Sequence, residues 1–118
     1  MSDSIVKQKS YDYALQIIKL CLQLKNNKHY EISSQLLRAG TNIGANVEEA
    51  LAGQSRKDFF TKMSIASKEA REANYWLRLL KDAEIYDDKK LIDISEELIK
   101  ILTSIVKTGN EKQLKTNN

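Results

Sequence analysis

Apolar residues recur at helical spacing along almost the whole chain, in four stretches separated by short polar breaks. Tyr11, Leu15, Ile18, Cys21 and Leu22 share one helical stripe, widened by Ala14, Ile17, Leu20 and Leu24. This predicts a first helix from about Ser4 or Ser10 to Lys25. Residues 26–31 break the pattern and form a loop. Leu36, Ala39, Gly40, Ile43, Val47, Ala50 and Leu51 then predict a second helix from about Ile32 to Leu51, with Gly53 as its C-cap. Phe59, Met63, Ala66, Ala70, Ala73, Leu77 and Leu80 form a heptad seam along a third helix. Ser55 is its expected N-cap, Asp58 its first-turn acid, and it should end near Asp82. A fourth helix should run from Asp87 or Asp88 to Thr108. It carries two adjacent seams: Leu91, Ile94, Leu98, Ile101 and Ile105, and Ile92, Ile99, Leu102 and Val106. Gly109 is the expected stop, followed by a polar tail from about residue 109 that should fray.

Four helices of about 20 residues are each about 30 Å long. Joined by short loops, they predict an all-α, antiparallel up-down-up-down four-helix bundle, a single domain over residues 1–118. Helix 2 carries small residues where a core helix would carry Leu. Gly40 and Gly44 each cost about 1 kcal/mol relative to Ala inside a helix, so they should mark a close crossing with another helix. A bundle core needs one apolar stripe per helix. Helix 4 offers nearly two and helix 1 nearly as much, which predicts self-association through the surplus.

Composition supports the helical reading: no proline, four glycines and 7% aromatic residues. Nineteen basic and 16 acidic residues leave a formal net charge of +3, which permits an acidic partner without requiring one. Cys21 is the only cysteine and falls in the apolar pattern of helix 1, so it reads as a small core residue in a reduced, cytoplasmic setting. Neither a signal-type apolar segment nor a run of about 18 apolar residues is present, so no membrane span is expected.

Candidate chemistry is sparse. A carboxylate-bridged metal site in a bundle needs Glu-x-x-His, and the only histidine, His29, lies in a loop. Glu69 and Glu72, or Glu48 and Glu49, have no nitrogen ligand beside them. No metal or other cofactor is expected. Cys21 faces a core stripe and is badly placed for nucleophilic catalysis. The glycines of AGTNIG (39–44) lack the Lys-Ser/Thr of a phosphate loop. No catalytic constellation remains, and the chain does not read as an enzyme.

Two polar features do stand out. Gln35, Arg38, Asn42, Asn46 and Glu49 form a stripe along helix 2, facing a polar stripe on helix 3 that includes Ser64, Ser67 and Arg71. Glu49 or Glu48 paired with Arg71 would give a largely buried network fixing helix register; a polar groove is the functional alternative. Residues 56–82 hold seven positive and four negative charges, so the positive excess lies on helix 3. Arg56, Lys57, Lys62, Lys68 and Arg78 are the candidate phosphate contacts. Phe59, Phe60, Tyr75 and Trp76 lie among them, as on a nucleic-acid surface.

RAGTNIGANVEEA (38–50) and GQSRKDFFTKMSIASKEAREANYWLRLL (53–80) resemble the four-helix-bundle proteins encoded in intervening sequences of large-subunit ribosomal RNA genes, the so-called S23 ribosomal protein family. The likeness runs over about residues 10–107. It is strongest at Gln35 and Arg38, at Ile43, Asn46 and Glu49, and at the Ser-Arg-Lys-Asp-Phe-Phe start of helix 3. It departs where the family carries Glu-Gly: here Ala50 follows Glu49. Relatives include the accessory subunit of diversity-generating retroelements, a pentameric barrel that binds a reverse transcriptase and nucleic acid. The resemblance therefore implies a homopentameric ring, with RNA or DNA and a polymerase-type protein as the partners to expect. The expectation is a non-enzymatic assembly with weakly selective RNA or DNA binding on helix 3. The alternative is a protein-interaction scaffold that binds no nucleic acid.

Overall fold

The computed structural model describes the backbone of residues 2–117 and the side chains of residues 3–111. Four α-helices follow one another: α1 (Ser2–Asn26), α2 (Tyr30–Ala52), α3 (Arg56–Asp82) and α4 (Lys89–Asn117). Among the described residues there is no strand, and no helix is long and apolar enough to cross a membrane. The bundle measures 53 × 24 × 24 Å. Contacts fix the helix directions. Ser33 Oγ donates to the Cys21 carbonyl while Gly40 meets Ile17 and Gly44 meets Ser10, so α2 runs against α1. Arg38 reaches Glu69 and Glu72 while Glu49 meets Lys62, so α3 runs against α2. Asn74 bonds Ser95 while Phe60 lies on Gly109, so α4 runs against α3. Each helix touches its neighbours in this ring, and α1 lies diagonally across from α3.

Local chemistry sets the helix ends. The Ser55 hydroxyl accepts from the Asp58 backbone N–H, and an Asp88 carboxylate oxygen accepts from that of Leu91. The α1 and α3 C-termini close in Schellman form. His29 N–H bonds the Leu24 carbonyl and Ile85 N–H that of Leu80, with Lys28 and Glu84 taking the left-handed position. These are not glycines, which is why sequence alone did not mark the two turns sharply.

On α2 and α3 the core is the predicted seams, Leu36, Ala39, Ile43, Val47 and Ala50, with Leu51 exposed, and Met63, Ala66, Ala70, Ala73, Leu77 and Leu80. On α1 the predicted main stripe is overturned, since Val6, Tyr13, Ile17, Leu20, Cys21 and Leu24 are buried and Cys21 alone comes from it. Gly40 is buried because a Cβ there would lie 2.7 Å from Ile17 Cγ2. Two more expectations need correction. Gly109 does not stop α4, whose backbone is helical on to Asn117. Gly109 is there because Phe60 needs the space: a Cβ would collide with the Phe60 ring. Nor does α4 carry the surplus apolar face. Leu91, Ile92, Leu98 and Leu102 are buried, and Ile94, Ile99, Ile101, Ile105 and Val106 pack half-buried around them. The surplus is on α1, where Tyr11, Leu15, Ile18 and Leu22 are all at least 40% exposed. They step by four, three and four, on the side away from Val6, Tyr13, Ile17, Leu20 and Leu24.

Candidate nucleic-acid interface

The bundle sorts the charges of α3 by edge. On the α2 side, Arg38 reaches Glu69 at 3.2 Å and also bonds Glu72, while Lys62 sits 3.9 Å from Glu49. On the α4 side, an Arg71 Nη donates to Thr103 Oγ1 at 2.9 Å. Lys57, Ser64, Lys68, Arg71, Tyr75 and Arg78 follow one stripe along that edge, at helical spacings of seven, four, three, four and three. The Arg71–Thr103 bond brings this stripe beside Glu96, Lys100, Thr103 and Lys107 of α4. The face thus holds six cations (Lys57, Lys68, Arg71, Arg78, Lys100 and Lys107), all exposed, against the carboxylates of Asp82, Glu96 and Glu111, with Asp93 paired to Lys89 on the same α4 stripe. The segregation has a simple cause. Arg38 draws two of α3's four acids to the opposite edge, so their charge is met there and not among the lysines.

Arg78 is anchored as well as exposed. Its Nε donates to Asn74 Oδ1 at 2.8 Å, and its guanidinium lies 5.9 Å from the Tyr75 ring centre. Asn74 Nδ2 donates to Ser95 Oγ at 2.9 Å, and Ser95 Oγ donates to the Ile92 carbonyl at 2.7 Å. Asn74 and Ser95 are buried. A polar chain therefore runs from the basic face into the core.

The predicted residues divide accordingly. Lys57, Lys68 and Arg78 share the face. Arg56 stands at its end, in a cleft described below. Lys62 leaves the set, turned to α2. The expected helix 2 network forms only in part. Gln35, Arg38, Glu69 and Glu72 cluster, with Gln35 Oε1 accepting from Arg38 at 3.5 Å. Asn46 donates to the carbonyl of Asn42, within its own helix. Glu49 does not pair with Arg71: its side chain is 60% exposed beside Lys62, and Arg71 turns to the other edge of α3. The expected burial of Asn46, Glu49 and Arg71 is corrected as well, since Asn46 is half-buried and the other two are exposed. The buried polar network is instead Asn74–Ser95. Ser95 was missed because a lone serine within two apolar seams gives no signal, and Lys100 and Lys107 because they read as ordinary solvated positions.

At the end of the bundle where α3 begins, a cleft of about 530 Å³ is lined by Asp3, Arg56, Phe59, Phe60, Ile105 and Thr108. Phe59 and Phe60 meet edge to face at 5.0 Å. Elsewhere, burial pushes the Cys21 thiol up to about 11 and the Tyr13 phenol upward too, so both are neutral near pH 7. The Lys9 ammonium, 2.5 Å from Glu97, holds that carboxyl below its ordinary range. Among the described residues, no three His, Cys, Asp or Glu side chains gather as a metal site would require.

The model of a family described as 23S rRNA-intervening sequence protein matches residues 2–107. A crystal structure of a protein of unknown function from the S23 ribosomal protein family of Bacteroides thetaiotaomicron VPI-5482 is 43% identical, with a TM-score of 0.84. The alignment covers 91% of this chain and 99% of that one. Among curated proteins, none matches significantly.

Proposed function

The chain belongs to the family of 23S rRNA-intervening sequence proteins, and from that premise we propose that it is a non-enzymatic, cytoplasmic subunit of a homopentameric ring. In this reading the ring holds RNA or DNA, with weak sequence selectivity, on its α3–α4 faces. The observation that carries the binding is the segregation of charge on α3: six cations line one face while Arg38 holds Glu69 and Glu72 on the other edge. Phosphate contact needs such a face and no base-reading element.

Assembly is supported by two exposed apolar patches. One is the α1 stripe of Tyr11, Leu15, Ile18 and Leu22; the other is Ile65, Tyr75 and Leu79 on α3. They lie on diagonally opposite helices. A patch on one side docking against a different patch on the other is a head-to-tail contact, which repeats around a closed ring. The count of five follows the family resemblance. A ring also repeats the basic face, so modest affinity per subunit gains from multivalency.

Light scattering should give a mass of five chains, and Leu15→Lys with Ile18→Lys should reduce it without unfolding the chain. A single-chain mass at micromolar concentration would remove the ring. Lys57→Gln, Lys68→Gln and Lys107→Gln together should weaken RNA and DNA binding alike and flatten the salt slope by about 0.7–0.9 for each phosphate that is no longer neutralised. Lys62→Gln, on the other edge, should change neither. No retention of RNA or DNA at about 50 mM salt, where phosphate binding is strongest, would leave the scaffold reading. That second reading is favoured by the α1 stripe itself, which offers a partner protein such as a polymerase an apolar helix face.

A further inference from the structure

We propose that the cleft at the α3 start is a nucleobase pocket, so that the basic face takes single-stranded nucleic acid in preference to duplex. The proposal rests on the nucleic-acid reading above and specifies its ligand. The cleft's inner wall is apolar and already half desolvated: Phe59, Phe60 and Ile105 are each partly buried yet line the opening. Its volume of about 530 Å³ lies within the range of about 300–1,000 Å³ found for small-ligand sites. A nucleobase is a flat heteroaromatic ring, and stacking on an aromatic side chain is how unpaired bases are held.

The ring that would receive it is fixed. Phe60 lies against Gly109, where any side chain would collide with it, and meets Phe59 edge to face at 82°. Gly109 thus has a local reason to stand inside a continuous helix. The rim supplies what a nucleotide presents. Arg56 carries a guanidinium for a phosphate. The Thr108 hydroxyl, which donates to the Ser104 carbonyl at 3.0 Å, can accept, and the Asp3 carboxylate accepts from base N–H groups.

The cleft and the basic face adjoin along the chain at the α3 start, where Arg56 lines the one and Lys57 lies on the other. On α4, Lys107 precedes Thr108. A flexible strand could lay its phosphates along the lysines and turn a base into the cleft. A duplex cannot do so, because its bases are paired and stacked inside.

The test is fluorescence anisotropy of the assembled protein at low salt with three probes of equal length: a single-stranded RNA, the same strand with abasic positions, and the duplex. The wild type should bind the intact single strand about tenfold tighter than the abasic strand, which keeps every phosphate but no stacking base. Thr108→Trp fills the cleft from an exposed position without removing core packing, and Phe60→Leu removes the stacking ring. Each should bring the intact strand down to the abasic value while leaving abasic binding unchanged. If Phe60→Leu melts early in circular dichroism, Thr108→Trp alone decides. Equal binding of all three probes, or no effect of Thr108→Trp, overturns the pocket and leaves the basic face standing. Loss of binding only in the Lys57, Lys68 and Lys107 variant is that same outcome. No binding of any probe overturns both readings.

Discussion

The α1–α2 side and the α3–α4 side of this bundle solve helix packing in opposite ways. Between α1 and α2 the helices approach through glycine. Ile17 packs onto Gly40 and Ser10 lies beside Gly44, and the outward surface of α1 is apolar. Between α3 and α4 the seam contains a polar chain, Arg78–Asn74–Ser95, and the outward surface is basic. Close approach leaves room in the first seam for only small polar side chains, Ser10 and Ser33, each bonded to a backbone carbonyl of α1. In the second, Asn74 and Ser95 satisfy each other and tether Arg78 at the surface. One side is suited to another protein surface and the other to phosphate, and both come from the same periodic pattern.

The most damaging way to test the contrast is to fill the glycine seam. Gly40→Leu should cost about 3 kcal/mol in urea unfolding, the upper end for overpacking, because even the first added carbon meets Ile17. Gly44→Ala should be tolerated and could gain up to about 1 kcal/mol of helix propensity, since its Cβ would stand 3.4 Å from the Ser10 carbonyl oxygen. If the two variants melt alike, the close-approach account fails. On the other side, Asn74→Leu should cost about 1–2 kcal/mol, because the buried Ser95 Oγ loses the N–H it accepts and Arg78 loses its anchor, while Ser95 keeps its bond to the Ile92 carbonyl. An unchanged urea midpoint would mean the polar chain is incidental.

Tyr13 offers a smaller effect of the opposite sign. Its hydroxyl is buried near Ser95, outside good hydrogen-bond geometry, and the Ser95 O–H is already given to the Ile92 carbonyl, so Tyr13→Phe should raise stability by about 1 kcal/mol. A loss of stability would show that the hydroxyl is in use. The smallest expected effect lies at the α1–α4 surface. The Glu97 carboxyl is held low by Lys9. Its contribution is therefore present above the unfolded carboxylate range and fades as pH falls through its folded value. Lys9→Met should make the acid side of the stability profile slightly flatter, and an identical profile would assign the pair no energy. Glu97 is exposed, so solvent screening keeps this effect small.

The sequence alone determined the four helices, the Ala66–Ala70–Ala73 seam, the Ser55 and Gly53 caps, the close crossing at Gly40 and the family. All of these are local: they depend on spacing along one helix or on a motif in one stretch of chain. Tertiary structure decided which long side chains meet. Periodicity gives each residue an angle about its own helix axis, but not the angle of the neighbour opposite. Thus Arg38 rather than Arg71 gathers the α2–α3 carboxylates, Lys62 turns away from Lys68, and Glu49 stays exposed. The same limit hid the role of Gly109. Read along the chain it is a helix stop; in the fold it is the space that Phe60 occupies. Of the two helices expected to carry an apolar surplus only α1 does, because α4 packs its flanking isoleucines around the core, while Tyr11, Leu15, Ile18 and Leu22 lie beyond the reach of any neighbouring helix. How wide a stripe is can be read from sequence, but how much of it a core covers depends on where the other three helices stand.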